Sequence, residues 1–515
     1  MLQQVQYQDP KDYFRRLKGL EVWSLLSRTG NFLGEQGIGA YLVGGFVRNV
    51  LLGRETADID IAVASDALEI APQIASALGG KYVPLDKVNR VGRVVLADWQ
   101  LDFSTFKSSI EADLARRDFT IDAMAVNISQ FGADNTDIQV IDPFHGREDL
   151  NQKVIRVVAE SAFSADTARL LRAVRLAAEL DFTIEGKTEA LIRQFAPLVA
   201  NLSGERVREE LLRLLAINGG QTLTYLDKLG LLTALFPELE ATKGIEQPKE
   251  HLWDVFNHLL QTVSAVDFLL RQSPWSFQER AGEEILALVP WSAELAEHFK
   301  RKVSSGSTRR SLLKLAALLH DVSKPETKTL DAGRIRFLGH AKEGATVTAN
   351  RLERLRFTNK EIKLVETEIR HHLRPVQMSP GGLPSLRATY RYFRDTGEAS
   401  IDILFLNLAD HLAARGPNLN LTNWREHTGL IAFVIGKYFE QGTIVRPARL
   451  VDGHDIINIF GIAPGPRIGE ILEKIHEAQA SGEVTTREEA LAYIDHLLTS
   501  PPEGSNKHEI RNKSK

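Results

Sequence analysis

The sequence predicts an α+β chain, with a small mixed head followed by helical domains. Between residues 40 and 106 strand-like apolar runs surround one helical stretch, and from about residue 151 the period lengthens to three or four. At 515 residues the chain is also too long for one hydrophobic core, so three or four domains are expected. The runs AYLVGGFV (40–47), ADIDIAVA (57–64) and GRVVLADWQLDFSTF (92–106) read as strands around a helix at Leu68–Leu78. The expected division is a head over 1–150, a helical neck over 151–245 and a helical body over 246–445. A small helical tail domain over 446–500 and a disordered basic end over 501–515 complete it. A loop, SPGGLPS (379–385), interrupts the body.

Composition narrows the function. Lysine plus arginine number 63 and aspartate plus glutamate 67, a formal charge of −4 that excludes a wholly basic nucleic-acid coat protein. There is no cysteine, which removes disulfide frameworks, zinc-cysteine modules and thiol nucleophiles. The N-terminal LQQVQYQDPKDYF has no signal-like apolar core, and no run of ~18 uncharged apolar residues occurs, so a cytoplasmic protein without membrane contact is expected.

In the head, Gly44-Gly45 follows the apolar Tyr41-Leu42-Val43. Glycine at a strand-to-helix turn lets backbone amides approach a phosphate, and Arg48 lies one helical turn further on. Asp58-Ile59-Asp60 alternates, so both carboxylates share one face of a strand. Two such groups repel at neutral pH unless a cation sits between them, which points to a hard divalent ion such as magnesium. Asp102, in Gln100-Leu101-Asp102-Phe103, is the candidate third carboxylate. In the neck, Arg169, Arg172 and Arg175 follow Asp166 at steps of three, a polar ridge opposite Leu170, Leu171, Val174, Ala177 and Ala178.

These segments, with RRDFTIDAMA (116–125), DPFHGREDL (142–150), DTARLLRAVRLAAELDF (166–182) and LSGERVREEL (202–211), resemble the DNA polymerase-β-like nucleotidyltransferase superfamily. Within it the chain is similar to the class II tRNA nucleotidyltransferase and bacterial poly(A) polymerase family, over most of residues 40–215. The resemblance implies a polymerase-β-like head and two magnesium ions ~3.5–4 Å apart, bound by Asp58 and Asp60. It further implies that Gly44, Gly45 and Arg48 hold the triphosphate, and that Arg117 and Asp118 of the RRD motif contact nucleotide and ribose. Asp166 and Arg169 would read the incoming base, with Arg172 and Arg175 supporting phosphate or holding the helix. The implied partners are tRNA, CTP and ATP.

The sequence departs from the family pattern at Asn49, Asp122 and Ala165, where aspartate, asparagine and glutamate are usual. The largest departure is the short SSIEADLA between Phe106-Lys107 and Arg116. Complete CCA-adding members carry there a longer loop associated with switching to ATP, and members restricted to CC addition lack it. The expectation is therefore CC addition to tRNA, with A addition, poly(A) synthesis and full CCA addition as alternatives.

In the body, the apolar LLKLAALL (312–319) carries His320-Asp321 toward buried surroundings, where polar groups need a metal or a hydrogen-bond network. With His258, His340, His371-His372 and Asp410 this ordered series resembles the HD phosphohydrolase superfamily. By that resemblance His258, His320, Asp321 and Asp410 are core ligands, and His340 and His371 (or His372) would add a second ion. Manganese, nickel, iron, magnesium or zinc suits imidazole and carboxylate donors. His251 is an alternative to His258, and His454-Asp455 reads as structural. A phosphohydrolase acting on nucleotide or RNA ends, or an RNA-binding scaffold, are the competing functions from other classes.

Overall fold

The computed structural model describes residues 14, 16–18, 20–132, 138–275, 277, 279–379, 382–440 and 449–499. The basic end expected to be disordered, 501–515, lies outside them. Two compact units form: residues 1–217 with 222–235, and residues 218–221 with 236–515. The expected step from head to neck near residue 150 therefore falls inside one compact unit.

A seven-stranded mixed sheet organises the first unit, in the order β3-β4-β5-β2-β1-β6-β7. Its strands are β1 (Ala40–Val43), β2 (Asp58–Val63), β3 (Lys81–Asp86), β4 (Val91–Val95), β5 (Gln100–Thr105), β6 (Ala125–Asn127) and β7 (Val140–Ile141). Within this sheet, among the described residues, only β2 and β5 pair in parallel, in a register that sets Asp60 beside Asp102. Ile59, Ile61, Leu101 and Phe103 bury one face of these two central strands, which leaves the aspartates on the other.

Two strand expectations change. The run at 40–47 ends as a strand at Val43, because Gly44 turns the chain with φ +64° into the helix Gly44–Leu51. The run at 92–106 is two antiparallel strands, β4 and β5, broken near Ala97-Asp98. The expected helix at Leu68–Leu78 is Ala67–Leu78, capped by the Asp66 carboxylate at 3.0 Å from the Leu68 amide and ended by left-handed Gly79.

The neck helix runs Ala168–Leu180, and Leu170, Leu171 and Val174 bury its apolar stripe. Asp166 does not lie on it: the residue is extended (φ −150°), and its carboxylate caps the Ala168 amide at 3.1 Å. The helix Gly204–Ala216 packs alongside, and buried Arg175 joins the two by its ion pair to Glu210 at 2.7 Å, while Glu179 on its own helix holds it at 2.7 Å from the other side.

In the second unit, the helices Val255–Leu269, Arg309–Leu319, Asn359–His371 and Ser400–Arg415 pack around one core. The tail helices Gly453–Phe460, Pro466–Ala480 and Arg487–Thr499 close round a core of their own, made by Val451, Ile456, Ile471, Ile475 and Ile494. The tail meets the helix Leu386–Thr396 through Arg387–Glu483 (2.7 Å), Arg391–Glu477 (2.5 Å) and Arg394–Glu473 (2.5 Å). Within the tail, Asp455 pairs with Arg487, and the helix holding His454-Asp455 is capped by Asp452.

Of the buried ion pairs among the described residues of the body, that of Lys314 with Asp267 is the most completely enclosed. Lys314 and Asp267 are fully buried and in contact, and Asp267 also accepts the Gly220 amide at 2.9 Å. Burial pushes the Asp267 carboxyl up and the Lys314 ammonium down. Removing one partner strands the other charge, so Asp267→Ala should lose about 3–5 kcal/mol in urea unfolding. The double variant Asp267→Leu/Lys314→Met should recover most of that loss.

Candidate active site and candidate metal centre

In the first unit, β2, β5, the Gly44 turn and the neck helix enclose a cavity of 520 Å³ lined by Gly44, Gly45, Asp60, Asp102, Arg116, Arg117, Asp118, Asp122, Asp166, Arg169, Arg172 and Arg206. Most of the residues singled out in the head and neck thus converge here, and three do not line it. Asp58, one alternation along β2, is exposed at the strand's outer end. Arg48 is buried and donates to Asp122 at 2.5 Å, with its other guanidinium nitrogen beside Gly45. Arg175 is buried in its pairs with Glu179 and Glu210, which is the helix-holding role.

Gly44 is required at its position. A Cβ there would lie 2.8 Å from the Arg117 guanidinium and 3.3 Å from the Asp60 carboxylate, on a backbone that side chains rarely adopt. Burial raises the Asp60 pKa to about 6; Arg117 opposes the shift, while Asp102 and Asp122 add to it. Asp102 stands beside Asp60 in register, but both of its oxygens accept from Arg93, at 2.6 and 2.7 Å. Its expected share in holding a cation therefore has a competitor that the sequence reading missed. The alternation of β4 opposite β5, which pairs Arg93 with Asp102, was the available signal.

The arginines are equally constrained. Arg172 lies 3.0 Å from Asp118 and 3.7 Å from Asp122, and Asp118 in particular holds its pKa above the usual arginine value. Asp166 receives a two-pronged contact from Arg206, at 2.7 and 2.8 Å. Burial works against its ionisation, but that contact outweighs it and leaves the carboxyl below its ordinary pKa. Arg169 donates to the backbone oxygens of Arg116 (2.9 Å) and Ala162 (3.3 Å).

In the second unit, the helix Arg309–Leu319 delivers His320 and Asp321 into the core, where they meet His258, His340, His372 and Asp410. Of the adjacent pair His371-His372, His372 faces the cluster, whereas His371 is half-buried on another surface beside Arg370 and Asp395. Consecutive helical residues point about 100° apart, so only one of the two can face inward. His251 joins as well, grouped with His258 and Asp410 instead of replacing His258.

The cluster is shaped for a cation. The Nδ1 atoms of His320, His340 and His372 lie 2.9, 2.6 and 2.7 Å from the carbonyls of Ala317, Phe337 and Ile369. A carbonyl only accepts, so each Nδ1 carries the proton and each Nε2 offers a lone pair inward. The Nε2 atoms of His258, His320 and His340 and Oδ1 of Asp321 are buried without a hydrogen-bond partner. Nitrogen and carboxylate donors left bare inside a core fit a divalent metal. Burial pushes His372 down to about 3 and His251 down to about 4, so both are neutral, as a metal ligand must be. Asp321 and Asp410 stay ionised: burial opposes it, but His320 and Lys324 around Asp321, and His258 beside Asp410, hold both pKa values far down. Lys324, which the sequence reading did not assign, donates to Asp321 at 2.5 Å.

Family models match for the poly A polymerase head domain (residues 40–156), the probable RNA and SrmB-binding site of polymerase A (181–243) and the HD domain (290–415). A fourth, tRNA nucleotidyltransferase domain 2, matches residues 423–494. An A-adding tRNA nucleotidyltransferase from Deinococcus radiodurans is 34% identical, over 90% of this chain and 96% of its own length. A CC-adding tRNA nucleotidyltransferase from Thermus thermophilus is also 34% identical, over 88% and 93%. Among solved structures, the Thermotoga maritima CCA-adding enzyme complexed with tRNA has a TM-score of 0.56 at 25% identity, covering 96% of this chain and 97% of that one. No helix among the described residues is long and apolar enough to cross a membrane.

Two outcomes follow. With its pKa raised, Asp60 costs no stability below about pH 4 and increasingly more as pH rises through 6. Asp60→Asn should therefore raise the metal-free melting temperature at pH 8 by roughly 3–5 °C and leave it unchanged at pH 4. For the second unit, metal analysis of purified protein should find an ion retained by wild type and His371→Ala. His320→Ala and Asp321→Ala should lose it, and retention by Asp321→Ala would sink the ligand assignment.

Proposed function

The chain belongs to the tRNA nucleotidyltransferase family, and we propose that it adds two cytidines to the 3′ end of tRNA without a nucleic-acid template. The observation that carries the CC restriction is the connection from β5 to the helix Ile110–Leu114. It is only Phe106–Ser109, too short for the long loop that the family resemblance ties to the change to ATP.

In this reading the RNA 3′-oxygen forms a bond to the α-phosphorus of CTP, the bond to the β-phosphate oxygen breaks, and pyrophosphate leaves with the electron pair. Asp60 in the cavity, with Asp58 one alternation outward on β2, would hold divalent ions, which would supply charge neutralisation for the attacking and leaving oxygens. Gly44 leaves room beside Asp60 for a phosphate, and Arg117, whose guanidinium covers that glycine, supplies positive charge there. Arg172, fixed between Asp118 and Asp122, keeps those carboxylates compensated while the nucleotide enters. Asp166 accepts from the exocyclic amine of cytosine, and Arg169 donates to its ring nitrogen and carbonyl oxygen. Adenine offers the same amine beside an accepting ring nitrogen, so this pair alone does not separate the bases. The discrimination must come from the space around them.

That point gives a second reading weight. The A-adding relative is as similar as the CC-adding one, so A addition to CC-ended tRNA is the alternative. A further activity is proposed for the helical body, hydrolysis of phosphate esters at nucleotide or RNA ends. It is supported by the inward-facing His and Asp set and the HD match.

The decisive assay offers magnesium, each labelled nucleoside triphosphate, and tRNA ending before the first C, after one C and after two. The expected outcome is C incorporation into the first two substrates and none of A into the third. Asp60→Ala should lower the rate at least ~10³-fold. Efficient A addition to the third substrate would overturn the CC reading while leaving the nucleotidyltransferase reading intact.

A further inference from the structure

The second unit holds another cavity, of 660 Å³, that neither proposed reaction uses. It forms where the C-terminal end of the helix Ala293–Lys300, one side of Asn359–His371 along its length and the end of Leu386–Thr396 meet, with Tyr438 completing the wall. Its lining includes Arg301, Lys302, Arg309, Lys360, Lys363, Arg370 and Arg394 against only two acids, Asp395 and Glu398. Asp402, Glu366 and Glu473 offset Arg309, Lys363, Arg370 and Arg394, so the uncompensated positive charge of the cavity lies on Arg301, Lys302 and Lys360.

The base of the cavity is built rather than incidental. Arg309 is 9% exposed, donates to the Glu398 carbonyl at 2.9 Å and is held from below by the fully buried Asp402. His298 packs into the same floor, 3.1 Å from Asp402. Above that floor, Arg301, Lys302 and Lys360 are exposed and make no ion pair among the described residues, so their charge is directed at the cavity mouth. Leu364 and Tyr438 give one wall an apolar and aromatic surface. A recess of this size, cationic at the mouth and apolar along one wall, matches a phosphorylated small molecule with a planar ring better than an RNA backbone. An RNA duplex would be met by a ridge or a broad surface, not by a pocket.

We propose that this cavity binds a nucleoside di- or triphosphate, at a site separate from the polymerising cavity of the first unit and from the His/Asp centre of the second. Its phosphates sit among Arg301, Lys302 and Lys360 over Arg309, and its base lies against Tyr438.

The test measures ATP binding to the full chain by equilibrium dialysis. Wild type should bind one equivalent more than Lys302→Glu/Lys360→Glu, with the lost site weakened at least tenfold. Lys302→Arg/Lys360→Arg should keep it, and cytidine transfer to saturating tRNA should match wild type in both variants. Binding of the same number of equivalents by the charge-reversed variant overturns the proposal. So does a charge-reversed variant whose only defect is a raised KM for tRNA, because the cavity would then serve RNA.

Discussion

The constraint on which the first unit depends is the crowding of negative charge at the centre of its sheet. Parallel pairing of β2 with β5 sets Asp60 beside Asp102, and the short turn after Phe119 brings Asp122 close behind. Such a cluster folds only if cations surround it. The chain supplies Arg93 to Asp102, Arg48 to Asp122, Arg172 to Asp118 and Asp122, and Arg117 over the glycine turn. Every satisfied pair removes a competitor for Asp60, which is left with a raised pKa and open to the cavity. The arginines come from β4, the Gly44–Leu51 helix, the RRD segment and the neck. Charge compensation therefore joins head and neck into one compact body.

The second unit solves the opposite problem with the same economy of residue types. Its central carboxylates are buried among imidazoles whose outer nitrogens are tied to backbone carbonyls. Orientation is set before any ion arrives, so binding need not spend free energy on ordering side chains. With no cysteine in the chain, both centres are built from oxygen and nitrogen donors alone.

Much of this was legible in the sequence, for identifiable reasons. Period two over Asp58-Ile59-Asp60 needs no tertiary knowledge to put both acids on one face, and the apolar run before His320-Asp321 announces burial. What stayed hidden depends on partners distant along the chain. Nothing local announces that Arg48 donates to Asp122. The contact of Arg206 with Asp166 spans forty positions, from the helix Gly204–Ala216 to an extended residue ahead of the neck helix. His371 and His372 are adjacent, and only the rotation of the helix Asn359–His371 against its neighbours selects the second. The run at 92–106 hid a hairpin because apolar residues continue through its turn.

The tail domain pairs a private hydrophobic core with a contact surface made of arginines and glutamates. Apolar burial holds the three tail helices to each other, while screened, individually weak ion pairs hold them to Leu386–Thr396. The two kinds of cohesion respond differently to their surroundings. Ionic strength sets how firmly the tail is seated without touching its own fold. Added salt therefore weakens the exposed seam with Leu386–Thr396 before it weakens the apolar core that the three tail helices share.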